Sequence, residues 1–270
     1  MFSYYGSKSK VVDLYPSPKF GKIIEPFAGS ARYSLKYFDR DVLLVDKYQV
    51  VVDVWHYLQQ ASPADILKLP KMRKGDDIRK YGLSEGETLF LSFLAGNGVA
   101  NPQYIVSAFA EYENGHQNDY KRIAKSISKI KHWKIVCADY QEIENQEACW
   151  FIDPPYQEGG KYYKFNVIDY SVLSGWCQSR NGQVIVCENT KADWLPFFPM
   201  RQIQGARSTM TTEAIWSNYR HDFQAVQSPM FPTPPNTACS GLAFLLADQE
   251  CPHCHGIGWH LSPCPTQANH

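Results

Sequence analysis

The chain has 270 residues, 44% of them hydrophobic, and its 27 basic residues balance 27 acidic ones to a formal net charge of zero. This composition supplies a sizeable core, and the charge balance excludes global attraction to nucleic acid, so such a partner would have to meet a local basic patch. The N-terminus, MFSYYGSKSK, has no apolar signal core, and no run approaches about 18 consecutive apolar residues. The expectation is a soluble, cytoplasmic monomer without a membrane partner.

In chain order, Tyr4-Tyr5-Gly6-Ser7-Lys8 precedes Val11, Val12 and Leu14 at helix-like spacing. Lys22 to Ala31 reads as strand, tight turn and helix start, with Ser34, Leu35, Tyr37 and Phe38 continuing the helix. Val42-Leu43-Leu44-Val45-Asp46 is a second buried strand with an acid at its carboxyl end. Strand, helix and strand within about 25 residues form a βαβ unit of a parallel sheet. A helix is predicted over Val50–Tyr57. From Ala61 to Asn118, prolines and glycines punctuate short helical pieces, too long a stretch for a structureless loop. Residues 58–134 therefore read as an inserted, largely helical subdomain. Helix returns over Asp119–Trp133.

Further strands are predicted at Ile135–Asp139, Cys149–Ile152 and Gln183–Cys187, with a late one at Ala214-Ile215-Trp216. Gln157–Phe165 reads as a mobile segment and Ala192–Phe198 as a short helix. Ser228–Pro235 is proline-rich, stiff and extended. It divides a domain of residues 1–227 from a tail of residues 239–270, with residues 228–238 as the linker. The fold class is α/β, a doubly wound and mostly parallel sheet.

The most specific stretch is Asp153-Pro154-Pro155-Tyr156, which follows the apolar run Trp150-Phe151-Ile152. Two prolines cannot continue a ladder, so a stiff loop sits at a strand's carboxyl end, where open α/β sheets bind ligands. Asp153 is an acceptor-only carboxylate and Pro154 a carbonyl without an adjacent N–H. Two such acceptors suit a planar –NH2 group, and Tyr156 offers a ring face to a flat base. The tetrapeptide alone is equally a Pro-Pro turn capped by an aspartate. The glycine turn Phe27-Ala28-Gly29, the strand-end Asp46 and this loop share one edge of a doubly wound sheet, and that ordered set favours the ligand reading.

On these residues the chain resembles the Dam-type (D12, or alpha class) DNA N6-adenine methyltransferases, over roughly residues 1–227. Tyr4-Tyr5-Gly6-Ser7-Lys8 resembles their N-terminal cofactor motif. Glu25-Pro26-Phe27-Ala28-Gly29-Ser30 resembles their motif I, and Asp46 their ribose-binding acid. Ala138-Asp139-Tyr140 resembles the motif that contacts the cofactor's adenine, and Asp153 to Tyr156 the catalytic motif, with Asp153 also beside the cofactor. The resemblance implies a Rossmann-like fold with S-adenosylmethionine as cofactor, a flipped adenine in double-stranded DNA as substrate and N6 as the methylated atom. Residues 58–134 correspond to the target-recognition insert. Ala31 departs from the pattern, which often has a second glycine there. The same chemistry on RNA is an alternative, as is a non-catalytic, zinc-bearing nucleic-acid-binding protein.

Several features keep two readings. Tyr162, Tyr163 and Phe165 either close over a base or are surface aromatics. Asp46 and Asp139 are also plausible strand-end caps. Lys121, Arg122, Lys125, Lys129, Lys131 and Lys134 either neutralise phosphates or form a solvated helix face. In the tail, Cys251-Pro-His-Cys254 is followed by His260 and Cys264, a set with zinc-knuckle character. Cys239 is an alternative ligand, and an unstructured tail is the other reading. Cys137, Cys149, Cys177 and Cys187 are expected to be buried free thiols.

Overall fold

Seven strands form one mixed sheet in the computed structural model, which describes residues 2, 4–96, 98–108, 115–204 and 210–219. They are β1 (Lys22–Glu25), β2 (Asp41–Asp46), β3 (Lys134–Cys137), β4 (Ala148–Ile152), β5 (Gly182–Asn189), β6 (Phe198–Gln204) and β7 (Met210–Ser217), in the order β3-β2-β1-β4-β5-β7-β6. Strands β1 to β5 run parallel, and β7 runs antiparallel to both β5 and β6. The fold is α/β. From β1 the chain builds outward through β2 and β3, then returns to the other side of β1 with β4. The strand order thus reverses between β1 and β4, and the carboxyl ends of all five parallel strands lie on one edge.

Alternation along the strands builds two covered faces. Ile23, Phe151, Ile185 and Cys187 join a cluster with Trp55, Leu58, Phe90, Phe93 and Ile123. Their chain neighbours Ile24, Trp150, Ile152, Val184 and Val186 join another with Leu173, Cys177 and Leu195. Burial on both faces explains why β4 is apolar throughout.

The helices are α1 (Arg32–Lys36), α2 (Gln49–Gln60), α3 (Pro63–Leu67), α4 (Glu85–Leu94), α5 (Gly115–Ser126) and α6 (Tyr170–Gln178). Helix α2 turns Val51, Val54, Trp55 and Leu58 inward. Lys131 Nζ donates to the Gln59 and Ala61 carbonyls at its end, satisfying acceptors that helix geometry leaves open. Helices α3 and α4 begin at Ser62 and Ser84 with capping boxes completed by Asp65 and Glu87. Helix α4 packs against α2, and α5 against α3. Residues from this stretch share the cluster that covers the sheet.

Several elements differ from expectation. The spacing of Val11, Val12 and Leu14 serves two 3-10 turns, Lys8–Lys10 and Val12–Leu14. The helix expected through Trp133 is α-helical only to Ser126, then a 3-10 turn over Ile127–Ile130. There i and i+3 eclipse, so Ile127 and Ile130 both reach the core. Ala192–Phe198 is not helical. Pro196 disfavours helix at the residue before it, and β6 starts at Phe198 with a register shift at Pro199, whose missing N–H breaks the ladder. Gln157–Phe165, read from sequence without regular structure, carries a 3-10 turn at Gly160–Tyr162, and Tyr162 and Tyr163 pack on Tyr5. Cys137 is exposed rather than buried; Cys149, Cys177 and Cys187 are buried free thiols.

The described fold belongs to one compact unit, Met1–Ser228. Residues 220–270, which include the linker and the whole tail, lie outside the described residues.

Candidate active site at the carboxyl edge of the sheet

A cavity of ≈ 300 Å³ opens at this edge. Its wall includes every residue expected to meet a cofactor: Tyr4, Tyr5, Gly6, Lys8, Glu25, Pro26, Phe27, Ala28, Gly29, Asp46, Asp139, Tyr140 and Asp153. Pro154 and Tyr156 do not line it, whereas Pro155 and Tyr163 do.

The turn after β1 forms the floor. Gly29 has φ +44°, and a Cβ there would sit 3.1 Å from the Tyr4 ring, so glycine avoids both backbone strain and a tight contact. Its N–H donates to Asp46 Oδ2 at 3.0 Å, and its carbonyl accepts from Trp55 Nε1 at 2.8 Å. Asp46 Oδ1 accepts from the Tyr48 N–H at 2.8 Å. The Asp46 carboxylate thus braces the turn as well as facing the cavity. Burial raises its pKa to about 6, against the pull of those two N–H groups. Ala31 is left-handed at φ 44° and ψ 47°, the conformation that the missing glycine would adopt freely.

Beyond β3, Asp139 caps a 3-10 turn, Tyr140–Glu142, and accepts from Lys47 Nζ at 2.8 Å. Burial raises its pKa, but the Lys47 and Gln141 hydrogen bonds outweigh that and hold it below the usual value. Phe27 and Tyr140 pack ring to ring at 5.4 Å and 32°.

At the end of β4, Asp153 Oδ1 is 2.6 Å from Lys8 Nζ. Lys8 is only 6% exposed, so it is no surface lysine. Its ammonium also donates to the Gly6 carbonyl, lies 3.9 Å from Glu213 and sits 4.8 Å from the Tyr156 ring centroid. Burial pushes the ammonium toward neutrality, but Asp153 and Glu213 prevail and hold its pKa above the ordinary value. Burial lifts Asp153 to about 6, with Lys8 opposing and Glu213 adding to the rise. Glu25, buried and accepting from the Ser34 N–H at 2.7 Å, is pushed up to about 8 by burial.

Tyr156 sits behind the cavity wall, with its hydroxyl and ring both engaged. Its hydroxyl donates to Glu213, and its ring lies beside the Lys8 ammonium. After the Pro-Pro loop, Tyr163 and Phe165 line the cavity, and the Tyr163 hydroxyl donates to the Tyr5 carbonyl at 3.1 Å. A Cβ on Gly6 would lie 2.1 Å from that hydroxyl oxygen, so Gly6 is what lets the segment after β4 close on the N-terminus. The exit of the Pro-Pro loop is pinned by Glu188, which accepts from the Gln157 N–H at 2.6 Å.

Sequence reasoning missed Glu213 and Tyr15. Glu213 lies on the antiparallel β7, at the end that begins on the cavity edge, where it pairs with Asn189. The only signal was one acid directly before the apolar Ala214-Ile215-Trp216. The basic stretch is partly structural: Lys131 caps α2, Lys129 lies over the Phe38 ring, and Arg122 pairs with Asp119. Among the described residues no group of three or more His, Cys, Asp or Glu could hold a metal. Cys239, Cys251, Cys254, His260 and Cys264 lie outside them. No helix among the described residues is long and apolar enough to cross a membrane.

No family model matches this chain, and no curated protein does. Among solved structures it is similar to a conserved hypothetical protein of Streptococcus pyogenes, at 11% identity over 74% of this chain and 87% of that one, with a TM-score of 0.32. A likeness that weak argues neither fold nor function.

Proposed function

We propose that this chain transfers a methyl group from S-adenosylmethionine to N6 of an adenine flipped out of DNA. The observation that carries the reading is the ion-paired Asp153 on the wall of the same cavity as Gly29 and Asp46. The strand order β3-β2-β1-β4-β5 and its reversal beside β1 support a Rossmann-like methyltransferase fold, because doubly wound sheets bind nucleotides at that crevice.

The donor set fits the cofactor. Asp46 supplies a carboxylate for ribose hydroxyls, Phe27 and Tyr140 supply rings for the adenine, and Gly29 lets backbone come close. When bound, the cofactor supplies an already activated methyl on a sulfonium, so no metal is required. The chain's own residues then act by position and charge. Asp153 accepts a hydrogen bond from N6–H, which returns electron density to a nitrogen whose lone pair is delocalised into the ring. With the cofactor held by Asp46, Phe27, Tyr140 and Gly29, its methyl would pass to the N6 lone pair, the C–S bond breaking as the N–C bond formed. The surplus N6 proton leaves through the Asp153 carboxylate to solvent. Lys8 keeps Asp153 ionised despite its burial.

The test is transfer of labelled methyl from S-adenosylmethionine to DNA duplexes and to RNA, with the product identified as N6-methyladenine. The wild-type protein should label DNA and Asp153→Ala should not. Labelling of RNA alone would move the substrate to RNA. Absence of any labelling, or a wild-type rate from Asp153→Ala, would overturn the reading.

A further inference from the structure

The site holds a buried carboxylate that neither the cofactor residues nor the Pro-Pro loop accounts for. Glu213 on β7 is 5% exposed and does not line the cavity. One oxygen, Oε1, takes three contacts: the Tyr15 hydroxyl at 2.6 Å, the Tyr156 hydroxyl, and the Lys8 ammonium at 3.9 Å. Two carboxylates therefore share one buried ammonium, an arrangement that costs stability relative to apolar packing. The close Lys8 contact is to Asp153 Oδ1, while the Asp153 side chain stays 21% exposed on the cavity wall.

We propose that Glu213 is a positioning residue, holding Lys8 and Tyr156 from behind so that Asp153 keeps its second oxygen for a substrate N–H. Without that pull, the ammonium would settle wholly on Asp153 and compete with the substrate for it. The catalytic part of this inference rests on the methyltransferase reading; the charge network does not.

The groups facing Glu213 are Lys8 and Tyr15 from the N-terminal segment, Asp153 and Tyr156 from the loop after β4, and Cys187 from β5. Tyr163, Glu25 and Glu188 also act electrostatically on Asp153 or feel it. Burial holds both tyrosines and the thiol far above their ordinary values, so near neutrality they stay protonated and Asp153 titrates against Lys8 and Glu213.

The experiment is a carboxyl-carbon NMR titration of Asp153 in the full chain, which needs no activity. In Glu213→Gln the Asp153 midpoint should fall by about one pH unit, because a like charge is removed and Lys8 is released to Asp153. In Tyr156→Phe, Glu213 loses a donor and draws harder on Lys8, so the midpoint should rise. Opposite shifts are not what a merely structural role gives. If Glu213→Gln does not fold, Tyr156→Phe alone decides, and an unmoved midpoint in a folded variant overturns the proposal. A methyl-transfer arm follows: Glu213→Gln should lower kcat, move its acid limb down with the Asp153 midpoint, and leave cofactor affinity unchanged. If no methyl transfer is found, the methyltransferase reading fails, while the titration still decides the network. If transfer is found and the midpoint stays, Glu213 fails and that reading stands.

Discussion

Lys8 and Asp153 are 145 positions apart in sequence and 2.6 Å apart in the fold. The pair joins the N-terminal segment to the end of β4, so the first residues of the chain are part of the cavity wall. Removing the cation should hurt more than removing the anion. Lys8→Met leaves Asp153 and Glu213 as buried like charges and should cost about 3–5 kcal/mol. Asp153→Asn leaves Lys8 with Glu213 and the Gly6 carbonyl and should cost at most about half as much. Urea unfolding of both variants checks the order; equal losses would mean that Glu213 does not share the ammonium.

Methyl transfer should fail on the acid side. Asp153 must be ionised to accept from an amine, and burial has moved its pKa up to about 6. At saturating cofactor the single-turnover rate should be full above about pH 7 and drop about tenfold per unit below about pH 6. Asp46 titrates in the same range, also at about 6. Calorimetry of cofactor binding over the same pH values separates the two, since under the proposed function Asp46 would act on affinity and Asp153 on rate.

Asp46→Ala should lose on two measures. Cofactor binding should weaken by roughly 1.5–3 kcal/mol as charge-assisted hydrogen bonds disappear. Stability should fall as well, because the Gly29 and Tyr48 N–H groups lose their acceptor. Calorimetry and thermal unfolding on one preparation read both; unchanged affinity would remove Asp46 from the binding site.

Ala31→Gly should stabilise the protein. An L-residue at φ 44° carries strain of about 1–2 kcal/mol, part of which the greater unfolded-state freedom of glycine offsets. A net gain of about 0.5–1 kcal/mol in denaturant unfolding is the expected result. A loss would show that the Ala31 methyl, buried in the core, packs more favourably than its backbone is strained.

The sequence by itself determined the parallel strands and the elements of the edge. Buried strands announce themselves by unbroken apolar runs such as Val42–Val45 and Trp150–Ile152. Turn chemistry is local, so Gly29 and the Pro-Pro loop could be read where they stand. The residues that the resemblance implies at a cofactor lie together on this cavity wall. Only the tertiary structure decided which charges meet. Ion pairing depends on distances between residues remote in sequence, and nothing local at Lys8 or Glu213 encodes the other. The antiparallel insertion of β7 between β5 and β6 set Glu213 beside Tyr156 and Lys8. It thereby gave the Tyr156 hydroxyl an acceptor, because a buried carboxylate requires donors and that hydroxyl was within reach.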